Sequence, residues 1–173
     1  MNADCVYLDS AATSLTPRSV TDKIGEYYNC YNANIHRGIH DWAEQATSEY
    51  EGVRSIAKEF IGADQDKEIV FTSGTTHGIN IVANCFCADW TSKDTVILSE
   101  AEHHANIVPW QQLKIRQGLT IEVISLLPDG HLDFNQLSAV IQQVKGRCLV
   151  SMSVLPNATG VTVSYTHLRA HET

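Results

Sequence analysis

The sequence lacks a long apolar run and is poor in basic residues. No stretch of its 173 residues approaches the roughly 18 consecutive apolar residues of a membrane-spanning helix, so we expect no membrane partner. Residues 1–5 show no basic region leading into an apolar one, unlike a secretory signal. Twelve Lys and Arg residues face twenty Asp and Glu residues, and the formal charge of -8 argues against a nucleic-acid partner.

Cysteine is scarce as well. The five cysteines are odd in number and scattered, which favours reduced thiols in a cytoplasmic protein over a disulfide framework. Cys85 and Cys87 are one residue apart on a predicted helix, so their thiols point to different faces and predict no metal site. With 43% hydrophobic and 18% charged residues, the composition is that of a folded globular domain.

Apolar runs of strand length alternate with amphipathic segments of helical periodicity. This alternation predicts an α/β fold with a mainly parallel sheet and flanking helices. Asp41 and Asp133 are predicted to cap helices and Gly62 to end one. A helix is predicted to be broken or bent near Pro109. The predicted strands are 69–71, 95–99, 120–126 and 148–152, and the predicted helices are 16–32, 41–61, 79–86, 104–117 and 132–144.

The turn Ser73-Gly74-Thr75-Thr76 joins the first predicted strand to a helix. The N–H groups of a helix N-terminus, together with the hydroxyls of Thr75 and Thr76, suit an anion such as a phosphate. An ordinary capped turn is the alternative. The stretch has neither the lysine of a P-loop nor the glycine spacing of a dinucleotide fingerprint.

Three predicted strands are followed by polar groups, at Thr72–Thr76, Glu100–Asn106 and Pro156–Gly160. Ligands of parallel sheets bind at the carboxyl ends of the strands, so this convergence favours the phosphate interpretation. His36 and His40 have a metal-like spacing, but their segment is predicted to be a loop and offers no third ligand. We therefore predict no metal.

Five segments together resemble the class V aminotransferase family of pyridoxal-phosphate enzymes, in its cysteine desulfurase and selenocysteine lyase branch. The likeness runs from Val6 to Gly160 and implies the N-terminal part of the large domain of a fold-type I transferase, with an incomplete sheet. The segments are Tyr7-Leu8-Asp9-Ser10-Ala11-Ala12, His36-Arg37-Gly38-Ile39-His40, Gly74-Thr75-Thr76-His77-Gly78-Ile79-Asn80, Glu102-His103-His104-Ala105-Asn106-Ile107-Val108-Pro109-Trp110 and Asn157-Ala158-Thr159-Gly160.

The resemblance implies roles for the cofactor, pyridoxal 5'-phosphate. Thr75 and Thr76 would hold its phosphate, and His103 would stack on its ring as a catalytic residue able to assist proton transfer. Asn157 would bind its phenolic oxygen. Taken alone, His103 is a surface or capping residue and Asn157 is a turn residue.

The resemblance also implies substrate contacts. Ala11 and Ala12 would leave room for the amino acid, and His36 and Arg37 would lie at the mouth of the site, serving a partner subunit of a homodimer. Taken alone, Arg37 is a solvated or ion-paired side chain. His77 stands where the branch has an acidic residue, and the Leu155-Pro156 pair replaces a serine-rich form. These departures leave the subfamily open.

The implied function is a cysteine desulfurase, which converts cysteine to alanine and a persulfide for a sulfur-acceptor protein, as in iron–sulfur cluster assembly. Selenocysteine lyase, epimerase and other class V activities remain alternatives. So does a short binding domain without catalysis.

The family needs a Schiff-base lysine, an acid for the pyridine nitrogen and a nucleophilic cysteine. The resemblance implies that all three lie beyond the end of this chain, and none of its lysines or cysteines lies in a matching context. The chain alone would then be inactive.

Residues 163–173 resemble the translation of a transposase-type sequencing adapter. We therefore expect the native sequence to end near Thr162, and we divide the chain into an arm and first helix (1–40), a truncated large domain (41–162) and an adapter-derived tail (163–173). Resequencing the source locus is expected to show different codons after Thr162. A genomic reading frame that continues unchanged to a stop after Thr173 would contradict this hypothesis.

Overall fold

The computed structural model describes residues 6–163, which divide after Phe71 into two compact units. The domain boundaries at residues 40 and 162 stay predictions. No helix in the described range is long and apolar enough to cross a membrane. The elements are α1 (Arg18–Cys30), α2 (Asp41–Ile61), α3 (Thr75–Ile81), β1 (Thr95–Ser99), α4 (Val108–Gln117), β2 (Thr120–Ile124), α5 (Phe134–Gln143) and β3 (Cys148–Val150), with 3-10 turns at Asp66–Glu68 and His104–Asn106 and a π-helical turn at Val82–Phe86.

The first unit contains α1 and α2. Helix α2 has the predicted bounds, but His40 rather than Asp41 is its N-cap, because Nδ1 of His40 accepts the hydrogen bond from the Ala43 N–H. Asp41 is instead the first helical residue, where its charge favours the helix dipole. Gly62 ends the helix as predicted, with a φ of 72° that a glycine adopts without strain.

The second unit is built on a three-stranded sheet in the order β2-β1-β3, and both pairings are parallel. Its central strand, β1, is buried at all five positions. A strand covered on both faces is expected to be continuously apolar, and the run Val96-Ile97-Leu98 has this character. The predicted α/β fold with a parallel sheet and flanking helices is confirmed.

Two apolar clusters cover the faces of β1. Val96 and Leu98 pack in one cluster with Trp110 of α4, whereas Ile97 packs in the other with Leu137 of α5. This alternation follows from the two-residue period of a strand. The two helices therefore fix the sheet from opposite sides. They also fix the segments that leave the carboxyl end of β1.

The predicted strand at 69–71 was wrong. Residues 69–71 form no strand: only Ile69 is buried, Val70 and Phe71 are exposed, and the Ile69 carbonyl accepts a hydrogen bond from Nε of Arg54 instead of from a strand. The predicted helix over 104–117 is broken near Pro109, as expected: the 3-10 turn ends at Asn106 and α4 begins at Val108. Pro109 lies in the first turn of α4, where its missing N–H costs nothing.

An ion-pair cluster holds the amino end of the sheet. The buried Asp94 accepts hydrogen bonds from the Thr91 N–H, the Arg147 N–H and the Arg147 guanidinium, and the same guanidinium binds Asp89 and lies over the ring of Trp90. The Arg147 guanidinium holds the pKa of the Asp94 carboxyl well below its usual range. This cluster ties the loop before β1 to the start of β3.

We predict that this cluster makes stability depend on acid pH. Because the pKa of Asp94 is lowered in the folded state, its stabilising contribution is complete above the unfolded value of about 4 and is lost as pH falls below it. Thermal denaturation between pH 7 and pH 3 should show Asp94→Asn several degrees less stable than the original chain at pH 7, with a smaller further loss on acidification. The exposed Asp64→Asn is the matched control, and equal acid dependence in both variants would contradict the assignment.

Candidate functional site

The turn before α3 is set by Gly74. Its φ of 143° and ψ of 174° belong to a region that essentially only glycine adopts. Thr72 stabilises the turn, because its hydroxyl donates to the Gly74 carbonyl at 3.1 Å. The Gly74 carbonyl also accepts the Gly78 N–H at 3.1 Å, so α3 begins directly after the glycine.

Thr75 and Thr76 occupy the first two positions of α3 and are exposed. Within residues 6–163, neither their N–H groups nor their hydroxyls donate to another protein group. These four donors lie together at the end of a helix, with no carboxylate bonded to them. The arrangement fits a phosphate, which takes N–H and O–H donors.

His77 acts as a local acceptor for this turn. Its Nδ1 accepts the Ser73 N–H at 3.2 Å and lies 3.1 Å from the Ser73 hydroxyl oxygen. In a capping box the side chain at this third helical position accepts the N–H of the N-cap residue, whereas His77 accepts the N–H of Ser73, one residue before the N-cap Gly74. The histidine therefore satisfies an N–H group of the turn without adding a negative charge beside the candidate phosphate position.

His103 follows β1 and caps the 3-10 turn His104–Asn106. Its Nδ1 accepts the Ala105 N–H at 3.1 Å, and its ring stacks on that of His104 with centroids 4.5 Å apart. The side chain is exposed. When the imidazole is neutral, Nδ1 is occupied as an acceptor, so the proton resides on Nε2.

A cavity of about 530 Å³ brings together two of the predicted cofactor residues, Thr76 and His103. Arg116 also lines it and donates to Oδ1 of Asn84 at 2.8 Å. The remaining lining residues are Asn80, Asn84, His104, Ala105, Val108, Pro109 and Gln112.

Asn157 does not line this cavity. It is exposed in a turn that is closed by the Gly160 N–H, which donates to the Pro156 carbonyl at 2.9 Å. Its role toward a phenolic oxygen therefore stays a prediction. Val163 is buried among the α5-side core residues, and the rest of the proposed tail lies outside the described residues.

The four predicted substrate residues belong to the first unit. Ala11 and Ala12 are exposed in a turn in which the Ala12 N–H donates to the Asp9 carbonyl. His36 has a φ of 67°, donates its N–H to the Thr47 hydroxyl and places Nε2 3.3 Å from Glu51. Arg37 is exposed. Their substrate roles stay predictions.

A buried hydrogen-bond network, which the sequence did not predict, lies beside His103. Glu102 and Asn106 are only 8% and 7% exposed and bond to each other through Oε2 and Nδ2 at 2.8 Å. Ser151, after β3, donates its hydroxyl to Oδ1 of Asn106 at 2.6 Å. In the sequence, only the spacing of Glu102 and Asn106, four positions apart between β1 and α4, could have indicated this network.

The described cysteines and lysines with resolved pKa shifts are poor candidates for covalent chemistry. Burial raises the pKa of the Cys87 and Cys148 thiols, which disfavours the nucleophilic thiolate. A hydrogen bond that Lys23 donates to Tyr31 is the largest influence that raises the pKa of Lys23, and a hydrogen bond to Asp66 raises that of Lys58. Raised values disfavour the neutral amine that a Schiff base needs. Residues 6–163 also hold no cluster of three or more His, Cys, Asp or Glu side chains suited to a metal.

Comparison with known proteins identifies relatives along nearly the whole chain. The family described as Aminotransferase class-V matches residues 6–172. A probable cysteine desulfurase of Staphylococcus epidermidis is 45% identical over 141 residues, which are 81% of this chain and 34% of that protein. The chain thus spans about a third of the length of such curated relatives.

Solved structures agree with these relatives. A cysteine desulfurase from Thermococcus onnurineus NA1, solved in its apo form, has a TM-score of 0.85 and 39% identity, covering 94% of this chain and 40% of its own. The cysteine desulfurase CsdA of Escherichia coli has a TM-score of 0.80 and 32% identity, covering 95% and 41%. The match confirms the predicted fold as the N-terminal part of such a structure.

The Gly74 turn yields a prediction about stability. Apart from its chain neighbours and the backbone of its own helix, a Cβ added at Gly74 or at Gly52 would have no atom within 4 Å. The effects of the two substitutions on stability should therefore differ only through backbone conformation. Gly74→Ala should destabilise its unit by about 1–3 kcal/mol through strain. The helical Gly52→Ala should instead stabilise by about 0.5–1 kcal/mol. Chemical denaturation measures both, and a neutral Gly74→Ala would contradict the assigned turn.

Proposed function

The chain belongs to the class V aminotransferase family, and we propose that it carries the phosphate-binding and ring-contacting part of a pyridoxal-phosphate-dependent cysteine desulfurase. The observation that carries this proposal is the shared cavity of Thr76 and His103, in a chain whose relatives include cysteine desulfurases. Activity is proposed for a protein of the relatives' length, of which this chain is about a third.

Thr75 and Thr76 are the proposed phosphate ligands. Their N–H groups and hydroxyls are free to donate within the described residues, and the positive end of α3 adds favourable electrostatics. Gly74 allows the sharp change of direction that presents these donors together.

His103 is the proposed contact to the cofactor ring. Its side chain is exposed and lines the cavity, and its Nε2 is the nitrogen left to donate or accept a proton, because Nδ1 is engaged by the Ala105 N–H. The bound cofactor supplies an electron sink that weakens bonds at the substrate Cα. Asn157 is proposed to bind the phenolic oxygen, on the resemblance alone.

The proposed substrate is cysteine, with release of alanine and transfer of sulfur to an acceptor protein. Ala11, Ala12, His36 and Arg37 are assigned to the substrate side from the resemblance, as is a homodimer. The covalent steps require a lysine and a nucleophilic cysteine, and we assign neither to this chain, because none of its lysines or cysteines lies in a sequence context that resembles the family's. For Lys23, Lys58, Cys87 and Cys148 the raised pKa values also disfavour the reactive neutral amine or thiolate.

The proposed phosphate site predicts a specific pattern of binding. The chain should bind pyridoxal phosphate more tightly than pyridoxal, and the double variant Thr75→Ala/Thr76→Ala should weaken pyridoxal phosphate by about tenfold or more, since each hydrogen bond to a charged group contributes about 1.5–3 kcal/mol. Equilibrium dialysis measures all three affinities. The exposed Thr21→Ala of α1 is the matched control.

Equal affinity for pyridoxal phosphate and pyridoxal would contradict the proposed phosphate site. An unchanged affinity of the double variant for pyridoxal phosphate would contradict it as well. Activity has its own test: a protein of the relatives' length that includes this sequence should release alanine from cysteine when loaded with pyridoxal phosphate. Turnover of selenocysteine but not cysteine would replace the desulfurase assignment with a lyase.

A further inference from the structure

The amide of Asn106 has only one orientation that satisfies its neighbours. Its Oδ1 accepts the indole N–H of Trp110 at 2.9 Å, and an indole nitrogen can only donate. Its Nδ2 donates to the Ser151 carbonyl at 3.0 Å, and a carbonyl can only accept. A flipped amide would place donor against donor and acceptor against acceptor. The remaining N–H of Nδ2 is therefore directed at Glu102.

Glu102 is held as a hydrogen-bond acceptor on both oxygens. Oε1 accepts the Ser153 N–H at 2.8 Å, and Oε2 accepts Nδ2 of Asn106 at 2.8 Å. The hydroxyls of Ser99 and Ser153 add bonds at 2.7 and 2.8 Å. With four donors from three residues, this buried carboxylate is satisfied without a cationic side chain, and it joins the end of β1 to the segment after β3.

His103 lies between these two anchored residues and is itself fixed at two further points. Its carbonyl accepts the Asn106 N–H at 2.7 Å, and its Nδ1 accepts the Ala105 N–H at 3.1 Å. The segment 102–106 is thus a short bracket whose ends are bonded inside the core and whose exposed side chains are His103 and His104.

We propose that Glu102 and Asn106 are positioning residues that hold His103 in one orientation and, when neutral, in its Nε2–H tautomer. The functional meaning of this orientation rests on the proposed function, in which His103 contacts the cofactor ring. The bracket itself exists without the cofactor. Trp110 connects it to α4, so the core of the unit supports the orientation of an exposed side chain.

The variant Glu102→Gln tests the bracket. The new amide is nearly isosteric, but its single acceptor oxygen can accept from the Ser153 N–H or from Nδ2 of Asn106, not from both. Its NH₂ group must then face the other N–H donor, which is left without an acceptor. Glu100→Gln is the matched control, since Glu100 is exposed in the turn just before the bracket. Ser153→Ala is a milder variant, which removes one hydroxyl and keeps the backbone bond.

Two signals report the result in the full chain without cofactor. In the original chain, ¹⁵N spectra of labelled histidine should show His103 as the Nε2–H tautomer, and the Trp110 indole N–H should exchange slowly with solvent. In Glu102→Gln the His103 tautomer pattern should be lost, and the indole should exchange about tenfold faster or more, as expected for an unsatisfied buried group. Ser153→Ala should be intermediate, and Glu100→Gln unchanged.

Two outcomes would overturn the proposal. In one, Glu102→Gln leaves both signals unchanged. In the other, it accelerates indole exchange but leaves the His103 tautomer intact, which would make the network purely structural. Because neither signal uses pyridoxal phosphate, a failure of the chain to bind that compound would count against the proposed function and not against the bracket.

Discussion

The burial of β1 on both faces is the constraint on which the second unit depends. Val96 and Leu98 face the α4 side, Ile97 faces the α5 side, and each residue is no more than 2% exposed. A five-residue strand held in this way has little freedom to slip in register, because a shift of one residue would exchange its two faces. Its carboxyl end is consequently a fixed point, from which the bracket with His103 leaves.

The polar chemistry of the unit is concentrated where that apolar core ends. Three features lie there: the backbone N–H groups at the start of α3, the stacked imidazoles of His103 and His104, and the buried Glu102–Asn106 pair. Each keeps its geometry because the neighbouring elements are rigid. This division between packed strand and functional strand end is typical of parallel sheets.

The sequence predicted most regular elements because their periodicity and end signals were local. Helix α2 and strand β1 have the predicted bounds, and Asp133 caps α5 as expected. The predicted strand at 69–71 was wrong because a strand requires a hydrogen-bonding neighbour, which three apolar residues do not reveal. The buried network escaped prediction for a similar reason: Glu102 and Asn106 look like surface residues until Ser151 and Ser153, about fifty positions later, supply their partners.

The central claim is that the Gly74 turn and His103 form one cofactor site. Backbone and imidazole NMR shifts, recorded while pyridoxal phosphate is added, test it most directly. The account predicts that the signals of Gly74, Thr75, Thr76 and His103 move together along one saturable curve, while those of the Asp94–Arg147 cluster at the other end of the sheet stay fixed. Movement confined to lysine-bearing surfaces, or separate curves for the turn and His103, would contradict it.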